Sequence, residues 1–357
     1  MSNTLTVSAP GRICLFGEHQ DYLGLPVIAA AISLRLSITG TPRQDRKIHI
    51  DLPDIKQNES FYLQREIPYE TERDYYKSVL NLWQRKGALF NNGFDLSLTS
   101  SIPINAGTSS SSALVVAWSY FLDQLTPQAT SLLDLADLAY KAEVEEFGEP
   151  GGRMDQTSIT FGNVIYLESQ PAPFVERLPP LSGTFVLGDS QQAKDTLGVL
   201  KHVKFGMLEA IKKIKAFDPS FSLHTYPAVQ AEQYKSLLTS DEYTLLKGNL
   251  SDRDILLEAK RLLQSPKPDP VTFGELLNAH QFNLREAKRI STPKINRMID
   301  YALQAGALGA KINGSGGGGC MFAYAPENPE AVARAIEKAG GKSYIITIDE
   351  GVRLEHN

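Results

Sequence analysis

The spacing of apolar and polar positions changes period several times along this chain. Residues 4–9 (TLTVSA) alternate in steps of two, which predicts a half-buried strand. A glycine-punctuated loop, GRICLFGEHQDYLG, is expected next, leading into the apolar run LPVIAAAI. Period-two alternation returns in SLRLSIT, RKIHIDL and GFDLSLTSSIP, each read as a strand. Residues 73–87 (RDYYKSVLNLWQRKG) carry the helical period and stop at Gly87. Helices are expected from the serine run near 109 to about 125 and again over 131–146, with a strand over 162–169.

The stretch 170–183 (QPAPFVERLPPLSG) is rich in proline and is the expected domain boundary. Beyond it a strand, TFVLGDS, precedes helices at about 194–216, 252–264, 271–289 and 292–305. The end alternates again: ALGAKINGSGGGGCMFAYA, a helix near 328–339, then SYIITI. These elements predict an α+β protein of two domains, 1–178 and 179–357. Its length of 357 residues also exceeds what one ordinary core fills.

Composition narrows the function classes. Apolar residues make up 42% and charged residues 22%, as in a globular protein without membrane spans. No apolar run reaches the roughly 20 residues of a membrane span. The start lacks a basic segment followed by an apolar one, so a secretory leader is not expected and the cytoplasm is the expected location. A net charge of −5, with no dense Lys/Arg run, argues against nucleic acid as a partner. The two cysteines, Cys14 and Cys320, make no disulfide framework and read as small buried hydrophobes.

Candidate chemistry concentrates in a few stretches. Gly107-Thr108-Ser109-Ser110-Ser111-Ser112 runs straight into ALVVAWSYFL. A helix N-terminus exposes unpaired N–H groups and a partial positive charge, so it binds phosphate when small residues let the backbone come close. The same serines also read as an ordinary N-cap. The P-loop pattern and the dinucleotide fingerprint are both absent. Arg12, Glu18, His19 and Asp21 crowd between glycines, which suits a hydroxyl-rich ligand and equally a solvated polar turn. In EPGGRMDQTSI, Asp155 follows a Pro-Gly-Gly bend. The run Gly314–Gly319 holds more glycine than a hairpin needs.

Taken in order, these stretches resemble the GHMP small-molecule kinases, and galactokinases most. GRICLFGEHQDY is similar to the galactokinase signature, with Cys14 and Phe16 as departures. PINAGTSSSSALVVA resembles the family's phosphate loop, with Thr108 and Ser112 replacing the usual Leu and Ala. AEVEEFGEPGGRMDQ and the segment from HQFNL to NGSGGGGC complete the set. The resemblance implies a two-domain fold, the first domain like ribosomal protein S5 and the second ferredoxin-like. It implies ATP and Mg²⁺, and a sugar as the small-molecule substrate of a monomer or homodimer. Asp155 and Arg12 match the catalytic pair. Glu18, His19, Asp21 and Gly152 match sugar contacts. Asn105, Ala106, Gly107, Thr108, Ser109, Ser110, Ser111 and Ser112 match the ATP loop. Ser111 and Glu143 match the metal site, and Gly314, Ser315, Gly316, Gly317 and Gly318 the third motif.

The family's Tyr-Asn segment is missing: the region reads LGDSQQAKDTLGVLKHVKFG. Arg153 stands where an apolar residue is usual. It reads either as a contact for an acidic sugar or as a surface arginine paired with Glu145, Glu146 or Glu149. Lys194 and Lys201 are candidates for phosphate, or simply helix-surface lysines. His280 reads as structural. The expected activity is transfer of the ATP γ-phosphate to a sugar hydroxyl, the anomeric one. The alternatives are arabinose, galacturonate, an N-acetylhexosamine or mevalonate as acceptor, or a non-catalytic sugar and ATP sensor.

Overall fold

A computed structural model describes residues 4–104, 107–127 and 129–355. It is an α+β architecture built on an eight-stranded and a four-stranded sheet. In the larger sheet β1 (Leu5–Phe16) pairs antiparallel with β2 (Val27–Pro42). Next come β5 (Phe94–Ser100), β3 (Lys47–Leu52) and β4 (Gln57–Tyr62), with β3 and β5 parallel. β6 (Val164–Glu168) and β7 (Phe174–Arg177) extend from β2. The smaller sheet is antiparallel and runs β11 (Lys342–Ile346), β8 (Phe185–Asp189), β10 (Cys320–Tyr324), β9 (Gly309–Ile312). The tail then returns: β12 (Arg353–Leu354) pairs with β1.

The first strand differs from expectation. It does not end at Ala9 but continues through Arg12 to Phe16, so Arg12 sits on a strand and not in a loop. Pro10-Gly11 signals a turn in sequence. Here the register against β2 shifts between these residues, and the ladder resumes beyond them. Gly11 lets the Thr108 carbonyl come close; a Cβ there would stand 3.1 Å from it.

Helix α2 (Ser110–Asp123) is buried on nearly all sides, which is why its sequence turns apolar at once. It lies in a core with α1 (Tyr75–Arg85), α3 (Leu132–Tyr140) and the inner face of the large sheet, centred on Trp118, Phe121 and Val79. A second core joins the two sheets through Ile13, Phe16, Phe185, Phe273 and Phe322. It also takes in α7 (Ser240–Leu263) and α8 (Pro270–Glu286). The sheets are therefore locked together beneath the loops that follow β1.

Helix starts follow their capping signals. Thr239 and Glu242 close a capping box on α7; Asp269 caps α8; Thr292 caps α9 (Pro293–Gln304). The serine run does not behave this way. Ser109, the residue before α2, has φ 60° and its hydroxyl caps nothing. A non-glycine residue held left-handed is strained, and the hydroxyl it withholds from the helix is used elsewhere.

Candidate active site

The N-terminal ends of α2 and of α4 (Met154–Phe161) converge on one cavity of about 320 Å³. β1 brings Arg12 to its floor. The Arg12 guanidinium grips Asp155 with both arms, Nε to Oδ1 at 2.8 Å and Nη2 to Oδ2 at 2.9 Å. Its remaining nitrogen donates to the Gly107 carbonyl at 2.5 Å. Asn313 Nδ2 donates to that same carbonyl at 2.9 Å, while its Oδ1 accepts from Cys14 N. The withheld Ser109 hydroxyl donates to Asp155 Oδ2 at 2.5 Å.

Burial raises the Asp155 pKa, but the Arg12 charge and the Ser109 hydroxyl outweigh it and hold the carboxyl below its usual range. Asp155 also lies in the first turn of α4, where the helix end favours negative charge.

Glu143 lies where α3 widens into a π turn over Lys141–Glu145. Its carboxylate accepts from Gln156 Nε2 at 2.6 Å. Burial pushes its pKa up, opposed by Gln156 and by the Ser111 and Ser112 hydroxyls beside it. Among the described residues no three or more His, Cys, Asp or Glu side chains are grouped to hold a metal. One carboxylate with a neighbouring hydroxyl still fits a magnesium ion that takes its other oxygens from nucleotide phosphates and water.

The loop after β1 forms the far wall. Asp21 and Gly152 touch so closely that a Cβ on Gly152 would stand 1.7 Å from Asp21 Oδ2. Burial, then the Asp155 charge, raise the Asp21 pKa to about 6. Glu18 and His19 line the cavity but are already engaged. Glu18 is buried in an ion pair with Lys311. His19 Nδ1 accepts from the Tyr22 hydroxyl at 2.8 Å and Nε2 donates to the Ser315 carbonyl at 2.9 Å. Burial and the nearby Lys288 lower its pKa to about 3, so the ring is neutral.

The predicted phosphate loop divides. Gly107, Ser109, Ser111 and Ser112 line the cavity. Thr108 is buried with its hydroxyl turned toward the Pro103 carbonyl, and Ser110 is not on the lining. Asn105 and Ala106 lie outside the described residues. In the glycine run, Gly314 and Ser315 reach the cavity, whereas Gly316, Gly317 and Gly318 pack against Ile290 and the backbone of 192–195. Arg153 is off the lining: it pairs with Asp137 and Glu145 and lies over the Tyr140 ring at 4.2 Å. His280 is buried and stacked on Phe16. Sequence reasoning missed Asn313, Gln156, Lys311 and Lys288. Only Gln156, next to Asp155, carries a local signal.

Comparison with known proteins identifies the cavity's family. Residues 74–163 match the GHMP kinases N terminal domain, and residues 259–342 the GHMP kinases C terminal domain. The mevalonate kinase of Thermococcus onnurineus is 32% identical over 98% of this chain and 97% of its own length. The chain belongs to the GHMP kinases. GHMP kinases use ATP, and this one is an ATP-dependent phosphotransferase with an alcohol group as acceptor. Residues 2–42 also match the galactokinase galactose-binding signature. The galactokinase of Mannheimia succiniciproducens is 28% identical over 99% of this chain and 95% of its own. Among solved structures, Lactococcus lactis galactokinase complexed with galactose superposes with a TM-score of 0.86 at 23% identity, covering 98% of this chain and 95% of that one. An L. major mevalonate kinase in complex with R-mevalonate gives 0.70 at 19%, covering 98% and 99%. Among the described residues of this GHMP kinase no helix is long and apolar enough to cross a membrane.

Proposed function

We propose that this GHMP kinase is galactokinase-like and transfers the γ-phosphate of ATP to the anomeric hydroxyl of a sugar. The observation that carries the reading is the bidentate Arg12–Asp155 pair, joined by the Ser109 hydroxyl, facing Asp21 across one cavity. The galactose-binding signature over 2–42 supports a sugar as acceptor.

Phosphoryl transfer needs alignment and charge neutralisation more than covalent help. Asp155, kept ionised by Arg12, orients the acceptor hydroxyl. As the acceptor oxygen bonds to the γ-phosphorus and the bond to the ADP oxygen breaks, Asp155 receives the hydroxyl proton. Gly107, Ser109 and the open end of α2 cradle phosphate oxygens. Ser111 and Glu143 would hold Mg²⁺, which supplies neutralisation of phosphate charge. Asp21 and the backbone at Gly152 accept and position sugar hydroxyls. Glu18 and His19, both engaged within the protein, complete that wall. We also treat residues 1–178 and 179–357 as two domains, with the tail after β11 returning to the first.

Mevalonate is the second reading, favoured by relatives of 30–32% identity that are mevalonate kinases. Labelled ATP offered with a panel of free sugars, sugar acids and mevalonate separates the two. A phosphorylated aldose with acid-labile phosphate supports the proposal. Product with mevalonate alone, or binding of sugar without product, overturns it.

A pH profile tests the Asp21 role. Its folded pKa of about 6 lies above the ordinary 3.8. Only the carboxylate accepts from sugar hydroxyls. We expect kcat/KM for the acceptor to fall about tenfold per pH unit below about 6 and to level above it, as for a single essential ionised group. Asp21→Asn should lower the plateau and remove this inflection. The sign for folding is opposite: the native state holds this proton more tightly, so its contribution to stability is full below 3.8 and is lost as pH rises through about 6.

A further inference from the structure

The cavity is lined by the cations Arg12, Arg73 and Lys194. Arg12 is committed to Asp155 and the Gly107 carbonyl. Arg73, largely exposed, is paired with Glu149. Lys194 is partly buried, and among the described residues no hydrogen bond or ion pair reaches its ammonium. A half-buried cation without a partner is costly unless a ligand supplies one. Lys194 lines the same cavity as Arg12 and Asp155, and burial and the Arg12 charge lower its pKa, with Asp155 opposing.

Its backbone is held there by the glycine run. Asp195 N donates to the Gly317 carbonyl at 3.1 Å, and Gly319 N to the Gln192 carbonyl at 3.1 Å. A Cβ on Gly318 would stand 2.5 Å from the Ala193 carbonyl, and one on Gly317 3.1 Å from Asp195 N. Both glycines also have positive φ, 130° and 69°. Side chains at either position would push the 192–195 segment off the run. These glycines therefore seat the lysine and do not themselves face the cavity.

We propose that Lys194 is a phosphate-binding cation that contacts the γ-phosphate of ATP, and that Gly317 and Gly318 fix its position. This rests on the kinase reading above. With Arg12 neutralised by Asp155, Lys194 supplies the uncompensated positive charge beside the transferring group. It acts at the γ-phosphate, so ADP does not sense it.

Calorimetric titration of the full chain with AMP-PNP and with ADP tests the assignment. Lys194→Met should weaken AMP-PNP by about tenfold or more, the scale of one charged hydrogen bond, and change ADP less than about twofold. Its kcat should fall about 10²-fold with acceptor KM unchanged. Lys194→Arg should keep the preference for AMP-PNP, and Lys201→Met, at a lysine that is exposed and off the cavity lining and so is no phosphate ligand, should match the wild type. If Lys194→Met is poorly folded, loss of the AMP-PNP preference in folded Lys194→Arg overturns the proposal. Equal affinities for both nucleotides in wild type and Lys194→Met overturn it while leaving the kinase reading intact. A raised acceptor KM with AMP-PNP affinity unchanged assigns the ammonium to the acceptor and also overturns it. A wild-type chain that binds neither nucleotide removes both readings.

Discussion

Asp155→Asn should lower kcat by about 10²–10⁴-fold, the range spanned by a single positioned proton acceptor. The side chain keeps its shape but loses the charge and one acceptor. Arg12 then keeps one partner oxygen where it had bonds of 2.8 and 2.9 Å to two. The buried guanidinium cannot shed its proton, so the loss appears as destabilisation of about 1–3 kcal/mol, softened because Asp155 opens to the cavity. AMP-PNP affinity should hold or rise, since Arg12 is freed toward phosphate. A fall in kcat without a fall in nucleotide affinity separates a role in transfer from a role in folding. Turnover like the wild type, measured as product per time at saturating ATP and acceptor, would remove Asp155 from the mechanism.

Much of the cavity lining was legible from residue order, because the loop proposed to bind phosphate is local. A glycine, hydroxyls and an apolar helix must be contiguous for the helix end to meet phosphate, and contiguity is visible in sequence. The division of labour among the hydroxyls was not visible. Ser109 bonds Asp155, which lies 46 residues away, and takes a strained φ to do so. Thr108 and Ser112 looked like unexplained departures from the family pattern. Thr108 is interior, with its hydroxyl satisfied by a carbonyl, and Ser112 adds a hydroxyl beside buried Glu143. Neither reason exists until the chain is folded.

The fold shows the same limit. Pro10-Gly11 read as the end of a strand, yet a register shift absorbs it and carries Arg12 into the cavity. The first half of α7 went unseen because Gly248 breaks the helical signal. That glycine is required by packing: a Cβ there would stand 2.6 Å from the Ala287 Cβ. The Thr239–Glu242 capping box was present in the sequence as the correct start. Edge strands β4, β7 and β12 carry too little apolar alternation to be distinguished from loops.

Lys311→Met should be the most damaging change outside the cavity, at about 3–5 kcal/mol of folding stability, the cost of breaking a buried ion pair from one side. Lys311 and Glu18 are both fully buried, and the ammonium also donates to the carbonyls of Cys14 and Ile312, each at 3.0 Å. Lys288 holds the same loop from behind, donating to the Glu18 carbonyl at 2.8 Å while paired with Asp252. Removing the Lys311 ammonium leaves the Glu18 carboxylate facing His280, a ring that burial and Lys288 still hold toward its neutral form. The double variant Lys311→Met/Glu18→Gln removes both charges and should recover a large part of the loss, because the penalty lies in the unpaired carboxylate and not in the missing attraction. Urea midpoints for the wild type, both single variants and the pair close the cycle. Additive losses would mean that the lysine stabilises through its carbonyl bonds instead. The surviving protein offers a second readout: Asp21 follows Glu18 by three residues in the same loop, so acceptor KM should rise in Lys311→Met while nucleotide affinity stays near the wild-type value.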